Sequence, residues 1–287
     1  MKKRNWNWIG FNLLLILLLF VTMTAAASPL TDEKNAQVST EQMMLPGTIE
    51  GKSVELATMV YRPLGVTTPR PAIILTHGRR GHSPSRYAKE VESSAEACNA
   101  LAKKGFVVVY LVRSGYGTSV GPDFEGSVSS SAYKLGLAGA KSIEAAVKSI
   151  RQLPYVDPQK IVVGGLSVGG LSTMAAASQN LEGVIGYINF AGFPVNVKEQ
   201  PEVNNAFAQY GKTAKTPSLW LYSSGDQFLK FIDSYTVRDH FVKAGGQCTL
   251  KMTRYVENGH FVINRPDDWL NYLDSYLDSI GLSEPFN

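Results

Sequence analysis

Ile161-Val162-Val163-Gly164-Gly165-Leu166-Ser167-Val168-Gly169-Gly170-Leu171-Ser172-Thr173-Met174-Ala175-Ala176-Ala177 runs from a β-branched segment, through four glycines around one serine, into a helix-forming segment. A serine held at a sharp strand-to-helix turn needs small neighbours two residues away on either side, because strand and helix nearly touch there. Gly165 and Gly169 meet that demand. Glycine in the first turns of a helix costs up to about 1 kcal/mol relative to alanine, so Gly169 and Gly170 signal a steric need that outweighs propensity. The bland alternative is a tight turn without chemistry. The same G-x-S-x-G spelling recurs at 117–121, but Pro122-Asp123-Phe124 follows it and does not open a helix. Ser119 therefore lacks the helix N-terminus that would supply an oxyanion donor and reads as a loop residue.

Outward from this turn, strand-like and helix-like segments alternate. Met43–Ile49 and Val54–Tyr61 flank Glu50-Gly51-Lys52 as an antiparallel hairpin, and Ala72–Thr76, Phe106–Val112, Ile161–Val163, Val184–Phe190, Ser218–Tyr222 and Thr249–Tyr255 follow as short apolar or β-branched strands. Helical candidates lie near 86–104, 132–152, 168–178, 232–244 and 267–280. Continuous apolar strands separated by helices imply an α/β fold with a mostly parallel central sheet covered by helices on both faces. A chain of 287 residues with 44% hydrophobic and 18% charged residues suits one enzyme-sized domain, expected over 41–287.

Residues 1–27 have a different character. Lys2, Lys3 and Arg4 precede the apolar stretch Ile9 to Val21, and Ala25-Ala26-Ala27 supplies small residues before Ser28, the pattern of a cleaved signal peptide. The alternative is an uncleaved membrane anchor, but the apolar core is shorter than the roughly 18–20 residues that span a bilayer, so cleavage is preferred and no stable membrane span is expected after it. The mature protein is expected to be exported, periplasmic or secreted, with residues 28–40 as a flexible polar lead-in. Loss of the leader lowers the formal net charge from +4 to +1 and leaves no basic run suited to a nucleic acid. Cys98 falls on the apolar face formed with Val91, Ala95 and Leu101, which favours burial as a small hydrophobe. A Cys98–Cys248 bridge is the alternative.

Leu75-Thr76-His77-Gly78, Arg113-Ser114-Gly115-Tyr116-Gly117-Thr118-Ser119, the turn Gly165-Leu166-Ser167-Val168-Gly169, Ser224-Gly225-Asp226 and Asn258-Gly259-His260 together resemble the α/β-hydrolase superfamily. The small size and the short lid insertion after Phe190 are most similar to its dienelactone hydrolase-like branch; the Arg79-Arg80 pair departs from the commonest pattern. The resemblance implies the chain order nucleophile, acid, histidine, which sets aside His77 and His82 and leaves His240 and His260. His240 lies inside a candidate helix, whereas His260 follows the last strand in a glycine-containing loop and is preferred. Of the acids between Ser167 and His260, only Asp226 comes just past a strand C-terminus, where active sites of open α/β sheets collect. Its bland reading is a turn or capping carboxylate, and Asp233 is the runner-up. The resemblance also implies two oxyanion donors, the backbone N–H of Val168 and that of Arg79, with His77 as a buried hydrogen-bonding residue.

A serine hydroxyl needs a base oriented by an acid, so Ser167, His260 and Asp226 imply acyl transfer through an acyl-serine, with no metal or organic cofactor. The expected substrate is a small-molecule carboxylic ester. A peptidase or thioesterase with the same three residues, and a non-catalytic exported binding protein of the same fold, are the alternatives. Arg79, Arg80 and Arg113 fall in loops near the strand ends, where one guanidinium would bind a substrate carboxylate unless all three are solvated loop arginines.

Overall fold

The computed structural model describes residues 37–79, 89, 91–92, 94–195, 197 and 199–283. The leader, most of the expected lead-in, Arg80 and His82 lie outside these residues. Among the described residues eight strands form one sheet: β1 (Val38–Ile49), β2 (Lys52–Pro63), β3 (Arg70–Thr76), β4 (Val107–Leu111), β5 (Val156–Leu166), β6 (Val184–Phe190), β7 (Ser218–Ser223) and β8 (Cys248–Thr253). Their order is β1-β2-β4-β3-β5-β6-β7-β8, with β1 and β2 antiparallel and β3 to β8 parallel. All the parallel strands therefore end on one edge of the sheet, and the loops that leave them share that edge.

The hairpin begins earlier than expected. Val38, Ser39 and Thr40, assigned above to a flexible lead-in, pair with Pro63, Arg62 and Tyr61. Ser39 Oγ also donates to the Arg62 carbonyl at 3.3 Å. The β2 partner strand runs past Tyr61 to Pro63, and this extra length offers backbone acceptors to polar residues whose composition alone suggested a loop.

Among the described residues six α-helices cover the sheet: α1 (Ala95–Lys103), α2 (Ala132–Ile150), α3 (Val168–Ala177), α4 (Gln200–Gly211), α5 (Ser234–Lys243) and α6 (Leu270–Ser279). Successive residues of β6 show the two faces. A side chain at Gly186 would meet Tyr276 and Ile280 of the α6 region, while the Tyr187 hydroxyl donates to the Ala176 carbonyl of α3. Lys104, just after α1, pairs with Asp274 of α6 at 3.2 Å and ties those two helices together. Helix α4 was not among the sequence candidates. It starts on Gln200-Pro201, with proline in its first turn, and buries Val203, Ala206, Phe207 and Tyr210; the Tyr210 hydroxyl donates to the Tyr133 carbonyl of α2 at 2.8 Å. Cys98 lies buried on α1 and Cys248 opens β8; both are free thiols, and burial pushes both upward in pKa.

Beneath the ends of β3 and β4 lies a buried charge pair. Arg113 is 0% exposed, and its Nε donates to Glu125 Oε1 at 2.6 Å. Its Nη1 donates to Thr76 Oγ1 at 3.0 Å and to the His77 carbonyl at 2.5 Å, and the Tyr116 hydroxyl donates to Glu125 Oε2 at 2.9 Å. The backbone N–H of Arg113 donates to His77 Nε2 at 3.0 Å, so the ring proton sits on Nδ1 and donates to the Gly78 carbonyl at 2.5 Å. Burial and the neighbouring guanidinium hold His77 well below the usual histidine range, and the ring is neutral. Its two ring nitrogens thus tie the loop that follows β3 to the segment that follows β4. Removing one partner of such a pair leaves an uncompensated buried charge. Arg113→Met is expected to lower the unfolding free energy by about 3–5 kcal/mol in chemical denaturation, and adding Glu125→Leu to the same chain should restore part of the loss.

Candidate active site

The turn between β5 and α3 sets the geometry. Ser167 has φ 58° and ψ −122°, a backbone conformation that only close packing can impose on a non-glycine residue. A Cβ on Gly165 would come within 2.5 Å of the Gly169 carbonyl, and one on Gly169 would lie 2.7 Å from the Thr76 carbonyl oxygen and nearer still to that of His77. The two glycines are there because three backbones converge. The Ser167 N–H is anchored on the Phe190 carbonyl at the end of β6, at 2.9 Å. Val168 is the first residue of α3, so its N–H has no intrahelical acceptor.

Asp226 follows β7 and His260 follows β8, and both are buried. His260 Nδ1 donates to Asp226 Oδ2 at 2.8 Å, which directs Nε2 away from the carboxylate. The other carboxylate oxygen, Oδ1, accepts the N–H groups of Phe228 at 2.8 Å and Leu229 at 3.2 Å. The turn-capping role and the histidine-orienting role weighed for Asp226 coexist, one on each oxygen. The Gly259 N–H donates to the Gly225 carbonyl at 3.2 Å and joins the two loops directly.

Phe193 links this pair to the serine. Its N–H donates to the Ser167 carbonyl at 3.3 Å, and its ring meets the His260 ring edge-on with centroids 5.4 Å apart. Among the described residues Ser167 Oγ forms no hydrogen bond to the His260 ring, a contact that commonly tightens only when substrate is bound. The loop carrying Phe193 is itself braced: Asn189 Oδ1 accepts the Gly192 N–H at 2.8 Å, Asn189 Nδ2 donates to the Tyr222 hydroxyl at 3.1 Å, and that hydroxyl donates to the Gly192 carbonyl at 3.0 Å.

The other candidates have structural roles. Ser119 Oγ accepts the Ala57 N–H at 2.8 Å and donates to the Val112 carbonyl at 2.6 Å, bridging β2 to the end of β4. Asp233 caps α5 by accepting from Tyr235 N at 3.0 Å and Thr236 Oγ1 at 2.6 Å, and the Thr236 hydroxyl bond lowers its pKa. His240 is exposed on α5. Arg113 does not face substrate: its guanidinium is spent inside the protein on Glu125, Thr76 and His77, so the carboxylate-binding role considered for it is withdrawn. Arg79 is half-buried in the loop after β3. A groove of about 640 Å³ lined by Met43, Met44, Met59, Val91 and Val112 opens beside the hairpin. It contains none of Ser167, Asp226 and His260. Among the described residues no group of His, Cys, Asp and Glu is placed to hold a metal ion, and no helix is long and apolar enough to cross a membrane.

The sequence pattern of the dienelactone hydrolase family matches residues 56–278, from β2 to the end of α6. The chain belongs to the dienelactone hydrolase family. Solved structures with the same fold include a dienelactone hydrolase-like promiscuous phosphotriesterase from metagenomic libraries, with 14% identity and a TM-score of 0.60 over 85% of this chain and 98% of that one. An esterase of Pyrococcus furiosus has 15% identity and a TM-score of 0.61 over 84% and 92%. Esterase 2 of Thermogutta terrifontis has 18% identity and a TM-score of 0.55 over 89% and 98%. A comparison with curated proteins gives no match. Membership of the dienelactone hydrolase family makes the chain a hydrolase.

Sequence reasoning missed Phe193, Phe228 and the Asn189–Tyr222 brace. No local spacing distinguishes them; only the pairing of β5 with β6 and of β6 with β7 brings them to the site. Asp226→Asn is expected to lower kcat for p-nitrophenyl acetate on the order of 10⁴-fold, the scale that follows loss of the histidine-orienting carboxylate in serine hydrolases. Asp233→Asn should change kcat little, and the reverse ranking would place the acid at Asp233.

Proposed function

We propose that the protein is a serine esterase that cleaves small-molecule carboxylic esters through an acyl-Ser167 intermediate. One observation carries the reading: the His260–Asp226 hydrogen bond of 2.8 Å, held by Phe193 beside a serine in a strained strand-to-helix turn. In this reading His260 Nε2 takes the Ser167 proton as Oγ attacks the ester carbonyl. The Val168 and Arg79 N–H groups stabilise the oxyanion, His260 returns the proton to the departing alcohol, and water activated by the same ring then releases the acid. No step calls for a metal or organic cofactor. The pattern of Lys2, Lys3 and Arg4, the apolar stretch and Ala25-Ala26-Ala27 supports export with removal of residues 1–27, leaving the domain that β1 opens at Val38 in the periplasm or outside the cell.

Fluorophosphonate labelling followed by peptide mapping tests the nucleophile. The label should fall on Ser167, disappear with Ser167→Ala and persist with Ser119→Ala; a label that survives Ser167→Ala would refute the assignment.

The chain between β6 and β7 offers little to cover a long acyl group. Among the described residues of 191–217 there is one helix, α4, and it packs beside α2 and α5. With a fixed p-nitrophenyl leaving group, acetyl and butyryl esters should show higher kcat/KM than dodecanoyl or palmitoyl esters. A preference for the long chains would reject this acyl-size argument.

A further inference from the structure

We propose that the aromatic side chains around His260, Phe228 foremost, form the binding site for the alcohol portion of the substrate and select esters whose alcohol carries an aromatic ring. The inference rests on the esterase reading above and deepens it. Three rings surround the imidazole: Phe228 with centroids 4.6 Å apart, Phe193 at 5.4 Å and Phe261 at 5.5 Å. Phe193 is buried, whereas Phe228 is 55% exposed and also meets the Phe261 ring at 6.4 Å. Among the described residues the exposed aromatic side chains are Phe228, Phe231, Tyr235 and Tyr255. Every one of them lies in, or one helical turn beyond, the two loops that carry Asp226 and His260. The Tyr255 ring lies against Gly225, with Cε2 only 3.2 Å from where a Cβ would stand there.

The bond changes decide which half of the ester meets these rings. Ser167 Oγ forms a bond to the carbonyl carbon and its proton passes to His260 Nε2. The carbon–oxygen bond to the alcohol then breaks, and that proton goes to the departing oxygen, so an alcohol leaves and the acyl group stays on Ser167. The departing oxygen must lie within hydrogen-bond reach of Nε2. Its substituent therefore projects into the space flanked by the rings packed on His260, and the acyl group does not. A phenyl or naphthyl substituent there gains edge-to-face or offset contacts beyond simple area burial, which a saturated ring of the same size lacks.

The backbone at Phe228 is also held in advance. Its N–H donates to Asp226 Oδ1 at 2.8 Å, on the same carboxylate that orients His260, so the main chain from which the ring projects needs no ordering on binding. One acid thereby sets both the base and the surface beside it.

The experiment compares methyl, cyclohexylmethyl, benzyl and 2-naphthylmethyl acetates, which all pass through the same acetyl-Ser167, so kcat/KM isolates the step in which the alcohol is present. Benzyl and naphthylmethyl acetates should exceed cyclohexylmethyl acetate in kcat/KM by about tenfold. Phe228→Ala and Phe228→Leu should collapse that ratio, and Phe228→Tyr should retain it. Equal kcat/KM for benzyl and cyclohexylmethyl acetate, or a ratio unchanged in Phe228→Ala, overturns the proposal while leaving the esterase reading intact. Absence of a phosphonate label on Ser167 in the unmodified protein would instead overturn the esterase reading and this inference with it.

Discussion

The contact on which the site depends is between backbones: Gly169 of α3 lies against the carbonyls of Thr76 and His77 at the end of β3, with Gly165 pressed on Gly169 from β5. No side chain fits there, so helix, serine turn and the loop after β3 hold a single arrangement. That arrangement seats the first turn of α3 against the end of β3 and the His77 carbonyl. It is supported from below by Arg113, which grips the His77 carbonyl with its guanidinium and His77 Nε2 with its backbone N–H. A buried ion pair is weak evidence for net stability, but here its hydrogen bonds end on the loop proposed to bear an oxyanion donor. Its worth lies in holding that loop still.

A second convergence occurs at Asp226, whose two oxygens serve different partners, a ring nitrogen 34 residues later and backbone amides of its own turn. Because the turn and His260 share one carboxylate, the loop after β7 and the loop after β8 cannot shift independently. The Asn189–Tyr222 hydrogen bonds do the same for the loop after β6, and through Phe193 the three loops meet around His260. Position at the C-terminal edge of a parallel sheet supplies the neighbourhood; these side-chain bonds supply the geometry.

The parts legible in sequence are those governed by short-range sterics or by simple periodicity. Gly165 and Gly169 announce a close approach because glycine weakens both the strand interior and the first helical turn that they occupy, and the apolar runs of β3, β4 and β6 mark strands buried on both faces. Arg113 was misread because an arginine after a strand resembles any loop arginine until its partner, 12 residues on, is seen to be buried with it. Helix α4 was missed because its apolar face is short and is completed only by Tyr133 and Tyr210 stacking with centroids 5.3 Å apart. The first strand was cut short because Ser39 and Thr40 owe their extended form to a partner strand rather than to their own preference. Phe193 and Phe228 carry no signal in isolation. Their significance arises from where three strands end.

The left-handed backbone of Ser167, φ 58°, has a consequence for the economy of the whole chain. A residue with a Cβ is strained there by about 1–3 kcal/mol, and glycine is not. Ser167→Gly should therefore melt at a higher temperature than the native protein while losing the hydroxyl, so that the most thermally robust form of this fold and the form that bears the proposed nucleophile are different sequences. Selection for heat resistance alone, applied to a library at this position, would drift away from the proposed nucleophile.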